Sequence, residues 1–284
     1  MKRRELDFWG AAIAILNVMA RYVVFAFDVY DPVGAVATTF NVSVIVWALF
    51  YWALSLLFAG TDEGADVDGR DVAIVAAATV IAAAPIEYVG WFAVMIVGAG
   101  AWLTAGGDRD QRKAGILLVS VTAPMFWTKM IFSVFSHYIL TLDAMLVAAL
   151  TQTERYGNLV AIPGGSGYLQ ILGPCSSFAN ISLSYLGWLM VLCYYDISCS
   201  LRLIVWCVGI ILAIVGVNTI RISLIGFFPT QYELIHGAVG STIVGWIYIV
   251  LIFGLAAKAV RREPGFVDRD QGPVGADSRQ LSLP

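Results

Sequence analysis

Long apolar runs separated by short polar breaks dominate this chain. A helix of about 20 residues crosses a hydrocarbon layer about 30 Å thick, and on that measure the runs predict about eight spans. Span one lies near Phe8–Phe27, with Asn17 and Arg21 inside it, and span two is Gly34–Ala59. After an acidic loop from Thr61 to Asp71, the run Val72–Leu103 is too long for one helix. Pro85 and Glu87 sit at its middle, so it predicts a tight pair of short spans turning near Pro85. A polar loop, Gly106–Lys113, leads to span five at Ala114–Phe135, and a mixed stretch, Ser136–Pro174, follows. Spans six, seven and eight are Ser176–Ile197, Leu203–Phe227 and Gly237–Ala257. The expected fold class is an all-α polytopic membrane bundle covering 1–262. Residues 263–284 are polar, hold Pro and Gly, and predict a disordered cytoplasmic tail.

Composition removes the soluble alternatives. Hydrophobic residues make up 60 %, charged residues 13 %, and the mean hydropathy is +0.81. A globular protein averages roughly 45–50 % apolar and about 25 % charged. No sizeable soluble catalytic domain fits. Nucleic acid is not an expected partner, because the net charge is −3 and the basic residues are scattered; membrane lipid is. Lys2-Arg3-Arg4 before an apolar run has the outline of a signal peptide. Arg21 interrupts that run, however, and no small-residue cleavage site follows cleanly, so the first span reads as retained.

Charge also orients the spans, because Lys and Arg in short loops favour the cytoplasmic side. With the N-terminus inside, Lys2, Arg3, Arg4, Arg70, Arg109, Arg112, Lys113, Arg202, Lys258, Arg261, Arg262, Arg269 and Arg279 all fall inside, and the C-terminus does too. Four basic residues break the pattern: Arg21, Lys129, Arg155 and Arg221. A charge near the middle of a span costs at least about 2.5–3.5 kcal/mol, which makes such residues functional candidates. Arg21 and Lys129 also have a structural reading, as partners of Asp28, Glu87 or Asp143.

Arg221 is set apart by its company. From Arg202, about 18 residues rising 1.5 Å each carry span seven to the outer leaflet near Ile220. Asn218 and Arg221 share one helical face there. Span eight begins just after His236 and span six just after Cys175. Three span ends therefore bring a nucleophile, a cation and a base to one surface, as nucleophilic catalysis requires. Cys193, Cys199 and Cys207 fall in the inner half, with no CxxC or metal spacing, and no metal or cofactor is implied. Cys175 is thus the one outward cysteine. It follows Gly173-Pro174 at a helix start beside Ser176 and Ser177, a setting that favours a thiolate. His137 is a weaker competitor for the base. Gly164-Gly165-Ser166-Gly167 matches the GxSG of rhomboid-type intramembrane proteases. It lies between two alternating runs, Asn158–Ile162 and Tyr168–Leu172, and reads instead as the turn of a short extracytoplasmic hairpin before the nucleophile.

Together these residues resemble the exosortase/archaeosortase family of membrane-embedded cysteine proteases and transpeptidases. The resemblance runs from about Leu142 to Trp246, the catalytic part. LDAMLVAALTQTERYGNLVAIPGGSGYLQILGPCSS is similar to the family's amphipathic segment, Gly-Asn strand, Pro-Gly turn and nucleophile. VNTIRISLIGFF is similar to its N-x-x-R-I motif, and HGAVGSTIVGW to the H-x-x-x-G motif opening the last span. Family members commonly read Cys-Ser-Gly where this chain has Cys175-Ser176-Ser177, which leaves the subfamily and its substrate open. The resemblance implies Cys175, Arg221 and His236 as catalytic residues, supported by Asn218, Ser176 and Ser177. It also implies a place in a bacterial inner membrane with the site facing outward. The implied partners are exported proteins ending in a Pro-Glu-Pro-like motif, one transmembrane helix and a basic tail. The rival readings are a transporter, with Arg21, Lys129 and Arg221 lining an anion path, and an assembly scaffold linked to exopolysaccharide export.

Overall fold

Most of the chain is helical, and the few extended segments lie just ahead of Cys175. The structure, a computed structural model, describes residues 1–59, 65–84 and 88–263. The helices are α1 (Arg3–Val29), α2 (Pro32–Ala37), α3 (Val44–Phe58), α4 (Gly69–Ala82), α5 (Val89–Thr104), α6 (Arg109–Thr122), α7 (Thr128–Thr151), α8 (Ser177–Tyr195), α9 (Leu201–Phe227), α10 (Tyr232–His236) and α11 (Ala238–Arg261). Among the described residues, five helical segments are long and apolar enough to cross a membrane: Arg3–Val29, Arg109–Thr151, Ser177–Tyr195, Leu201–Phe227 and Val239–Arg261. Val44–Phe58 and Val89–Thr104 are shorter apolar helices. The expected turn at Pro85 and the tail beyond residue 263 lie outside the described residues.

Polar caps set the helix starts. The side chains of Asp68, Asp108, Ser176 and Ser200 accept from first-turn amides of α4, α6, α8 and α9, satisfying donors that have no partner within the helix. Ion pairs then tie helix ends together. Lys2 meets Asp66, Arg3 Nε lies 2.8 Å from Asp71, and Arg4 Nη1 lies 3.2 Å from Asp108. Lys113 joins α6 to Asp196 past the end of α8, and Arg202 donates to the Arg262 carbonyl. These contacts tie the start of α1 to the starts of α4 and α6, the start of α6 to the end of α8, and the start of α9 to the end of α11.

Two expectations need correction. Span two is not one helix: α2 ends at Ala37, and Thr39, Phe40 and Asn41 take φ of 51°, 56° and 57° before Ser43 caps α3. Left-handed residues without glycine cost roughly 1–2 kcal/mol each. Here Trp47 Nε1 donates to the Thr39 carbonyl, and the Phe40 ring packs between Phe27 and Trp47. Span five does not stop at Phe135. A π turn, Ala123–Trp127, lets the chain pass Pro124, and the helix then runs to Thr151. The expected hairpin forms between β2 (Leu159–Ala161) and β3 (Tyr168–Gln170), and an unforeseen β1 (Arg155–Tyr156) pairs with β2. Gly164 and Gly167 supply φ of +66° and +114° in the turn, so the GxSG match serves as a turn.

The N-terminal helices α1 and α3–α6 pack together, α7, α8, α9 and α11 form a second group, and α8 touches both. Backbones approach closely between α5 and α6. A Cβ on Gly115 would lie 2.5 Å from Trp102 N and 2.6 Å from Gly98 O, so both glycines let the helices meet without side chains between them. A smaller core of Ala144, Val147, Val160, Ile171 and Ile222 joins α7, the sheet and α9, with Cys175 packed against it.

Candidate active site

The segment Leu172–Ser177 is held from three sides. Pro174 sits in a 3-10 turn, Gly173–Cys175, that delivers the chain to the N-cap Ser176. Cys175 therefore lies just ahead of the N-cap, two positions before the first residue of α8. Ser176 Oγ donates to Asp143 Oδ2 at 2.7 Å, and the Ser177 amide donates to the same oxygen at 3.2 Å. Asp143 is buried in α7. Asn218 Nδ2 on α9 donates to the Cys175 carbonyl at 2.8 Å and to Ser177 Oγ at 3.0 Å, and Tyr248 on α11 donates to Asn218 Oδ1 at 3.4 Å. Buried polar groups of this kind carry weight because each must keep its partner. The sequence alone offers Asp143 only as a counter-ion for Arg21 or Lys129. Its place in an amphipathic stretch with Cys-Ser-Ser downstream was the available signal.

The base and the cation arrive from the other side of a cleft. Cys175 Sγ lies 3.8 Å from His236 Nε2. The imidazole packs on the Tyr232 ring, with centroids 5.1 Å apart. Arg221 faces the backbone behind His236: Nε donates to the Ile235 carbonyl at 3.1 Å, and Nη2 to the His236 carbonyl at 3.3 Å and to Ser241 Oγ at 2.8 Å. Ser241 Oγ in turn donates to the His236 carbonyl. A guanidinium on the last carbonyls of α10 is favourable in charge as well as geometry. Partial burial and the nearby Arg221 charge hold the His236 pKa below its ordinary value, while Glu233 opposes them. The imidazole is accordingly neutral at neutral pH and able to accept the thiol proton.

The amides around the nucleophile are already engaged. Those of Cys175 and Ser176 donate to the Leu172 and Gly173 carbonyls, Ser177 to Asp143 and Phe178 to Ser176 Oγ. The start of α8 thus offers no ready backbone oxyanion hole. Among the described residues Arg221 Nη1 has no hydrogen-bond partner, which leaves its two N–H groups for an anion.

A cleft of about 120 Å³ opens on the thiol, between Leu169–Leu172 with Pro174 on one wall and Ile222, Ile225, Tyr232 and His236 on the other. The Ile171 amide donates to Asn158, and the Ile162 amide to Gly167. In an antiparallel pair the hydrogen-bonded residues alternate. Tyr168 and Gln170 therefore point their backbone groups away from β2, along the outer edge of the sheet.

The other candidates lie elsewhere. Arg21 Nη2 donates to the Ala84 carbonyl, Lys129 Nζ to the Tyr22 hydroxyl, and Arg155 Nη1 to the Gly157 carbonyl. Glu87, one of the expected partners, lies outside the described residues. His137 is exposed on α7 beside Tyr138. All four cysteines are free, and no cluster suited to a metal occurs among the described residues. Compared with family models, curated proteins and solved structures, the chain finds no match.

Proposed function

We propose that the chain is a membrane-embedded cysteine peptidase and transpeptidase that cleaves C-terminal sorting signals of exported proteins at the outer face of the inner membrane. The observation that carries this reading is the Cys175 Sγ to His236 Nε2 distance of 3.8 Å, with each residue's backbone fixed by separate polar groups. The bundle threads about eight spans with both termini cytoplasmic, which the clustering of basic residues at the opposite end supports.

Cys175 passes its thiol proton to His236 Nε2 and attacks the scissile carbonyl, forming a C–S bond. The developing oxyanion is met by Arg221 Nη1, while Nε and Nη2 hold the His236 backbone in register. The imidazolium returns its proton to the leaving amine as the C–N bond breaks. Water or an acceptor amine then attacks the thioester. Asn218, Ser176 and Ser177 keep the nucleophile loop in place. The substrate helix lies beside α8, α9 and α11, and its extended signal enters the cleft along β3, whose edge groups suit an added strand. Co-expression with a secreted reporter carrying a Pro-Glu-Pro motif, one span and a basic tail tests the reading. Processing is expected with the native chain and absent with Cys175→Ala. Equal processing by both overturns it.

A further inference from the structure

Of the three pattern-breaking basic residues that the cysteine site leaves unused, two, Arg21 and Lys129, line one cavity. It measures about 550 Å³ and is bounded also by Tyr22, Phe25 and Asn41. Arg21 lies 18 residues beyond Arg3 on α1, about 27 Å at 1.5 Å per residue, and Lys129 lies 20 residues beyond Arg109, about 30 Å. Arg221 is 19 residues beyond Arg202, about 28 Å on the same count. All three cations therefore stand at one level, where a hydrocarbon layer about 30 Å thick gives way to headgroups.

The polar lining is rich in donors. Arg21 Nη2 is fixed on the Ala84 carbonyl, and among the described residues its Nε and Nη1 have no protein partner. The Lys129 ammonium lies 3.1 Å from the Tyr22 hydroxyl and 5.2 Å from the Tyr22 ring centre. Asn41 adds an amide from the left-handed turn that interrupts span two. A planar guanidinium, a point-like ammonium and an amide above aromatic walls match a tetrahedral oxyanion with an apolar body below it. We infer that this cavity binds the phosphate of a phospholipid headgroup, with Arg21 and Lys129 as the phosphate ligands and Tyr22 and Phe25 along the glycerol and upper acyl chain. The site is independent of the cysteine chemistry.

The full chain in detergent provides the test, by native mass spectrometry and thermal unfolding with phosphatidylglycerol, diacylglycerol or inorganic phosphate. The native protein and Cys175→Ala should each retain phosphatidylglycerol and unfold at a higher temperature with it. Diacylglycerol and inorganic phosphate at matched concentration should do neither. Arg21→Ala with Lys129→Ala should weaken lipid retention at least about 10-fold and abolish the thermal gain. Asn41→Asp places an anion in the cavity at a position whose φ aspartate tolerates, and should do the same without disturbing the fold. The inference is overturned if diacylglycerol is retained equally or if phosphate alone reproduces the gain. It is overturned equally if either variant binds lipid like the native chain, since a purely structural role for the cations predicts a lower unfolding temperature with the lipid increment intact.

Discussion

Arg221 and Asp143 bond the loops on either side of the thiol, Arg221 at the Ile235 and His236 carbonyls and Asp143 at the Ser176 hydroxyl and Ser177 amide. Arg221 spans two carbonyls and a hydroxyl with Nε and Nη2, and lysine offers only a point charge there. Arg221→Lys should lower turnover about 100-fold, the order reached when a catalytic group is misplaced by about 1 Å. Rescue of the His236 titration by the lysine would contradict this. Asp143→Ala leaves the Ser176 hydroxyl and Ser177 amide without their acceptor and should cost about 1–3 kcal/mol in denaturant unfolding. The depressed His236 pKa sets the pH behaviour. Alkylation of Cys175 should stay fast down to a pH below 6.5, the ordinary histidine value, and slow as His236 protonates. Glu233→Gln removes the charge that opposes the shift, so the acid limb should move lower still; movement upward would contradict the assignment. The sign for stability follows from the same shift. The unfolded chain takes up this proton more readily than the folded one, so the folded state loses stability as pH falls below about 6.5.

At the level of elements, helix existence was legible wherever apolar length alone decides it. Spans one, six, seven and eight fall on α1, α8, α9 and α11 with small changes at their ends. The pair around Pro85 is matched by α4 and α5 on either side. Interruptions and extensions were not legible. The Thr39–Asn41 turn needs three consecutive left-handed residues that no glycine announces, and it is held by aromatic packing from α1 and α3. The run of α7 past Phe135 depends on its inner face meeting the sheet and α9. The α5–α6 contact gives a stability prediction. Gly115→Ala would set its Cβ 2.5 Å from Trp102 N, and it should lower unfolding stability by about 1–3 kcal/mol, the range for overpacking. The edge strand gives a functional one. Gln170→Pro removes an outward N–H while the β2 side is unaffected; it should reduce peptide cleavage about 10-fold with Cys175 alkylation unchanged.

Across the whole molecule, charge divides the bundle. Ion pairs hold the ends where α1, α4 and α6 begin, and the Cys175–His236 pair lies where α8 and α11 begin. The meeting of Cys175 and His236 was readable because span lengths set depth, and depth placed both at one surface. What Arg221 bonds to was not readable, since a shared helical face with Asn218 says nothing of the loop that folds over it. In the structure Asn218 turns to the Cys175 loop and Arg221 to the His236 loop, so the two halves of the site have separate supports on one helix. Disturbing either support should slow chemistry without removing the nucleophile.

The most direct measurement is intact-mass analysis of the purified chain mixed with a sorting-signal substrate in the absence of an acceptor amine, quenched within one turnover. The mechanism predicts a mass increase equal to the acyl portion of the substrate, mapped to Cys175 and released by hydroxylamine, and no increase in Cys175→Ala. Substrate cleavage without that adduct, or with the adduct on another residue, would contradict it.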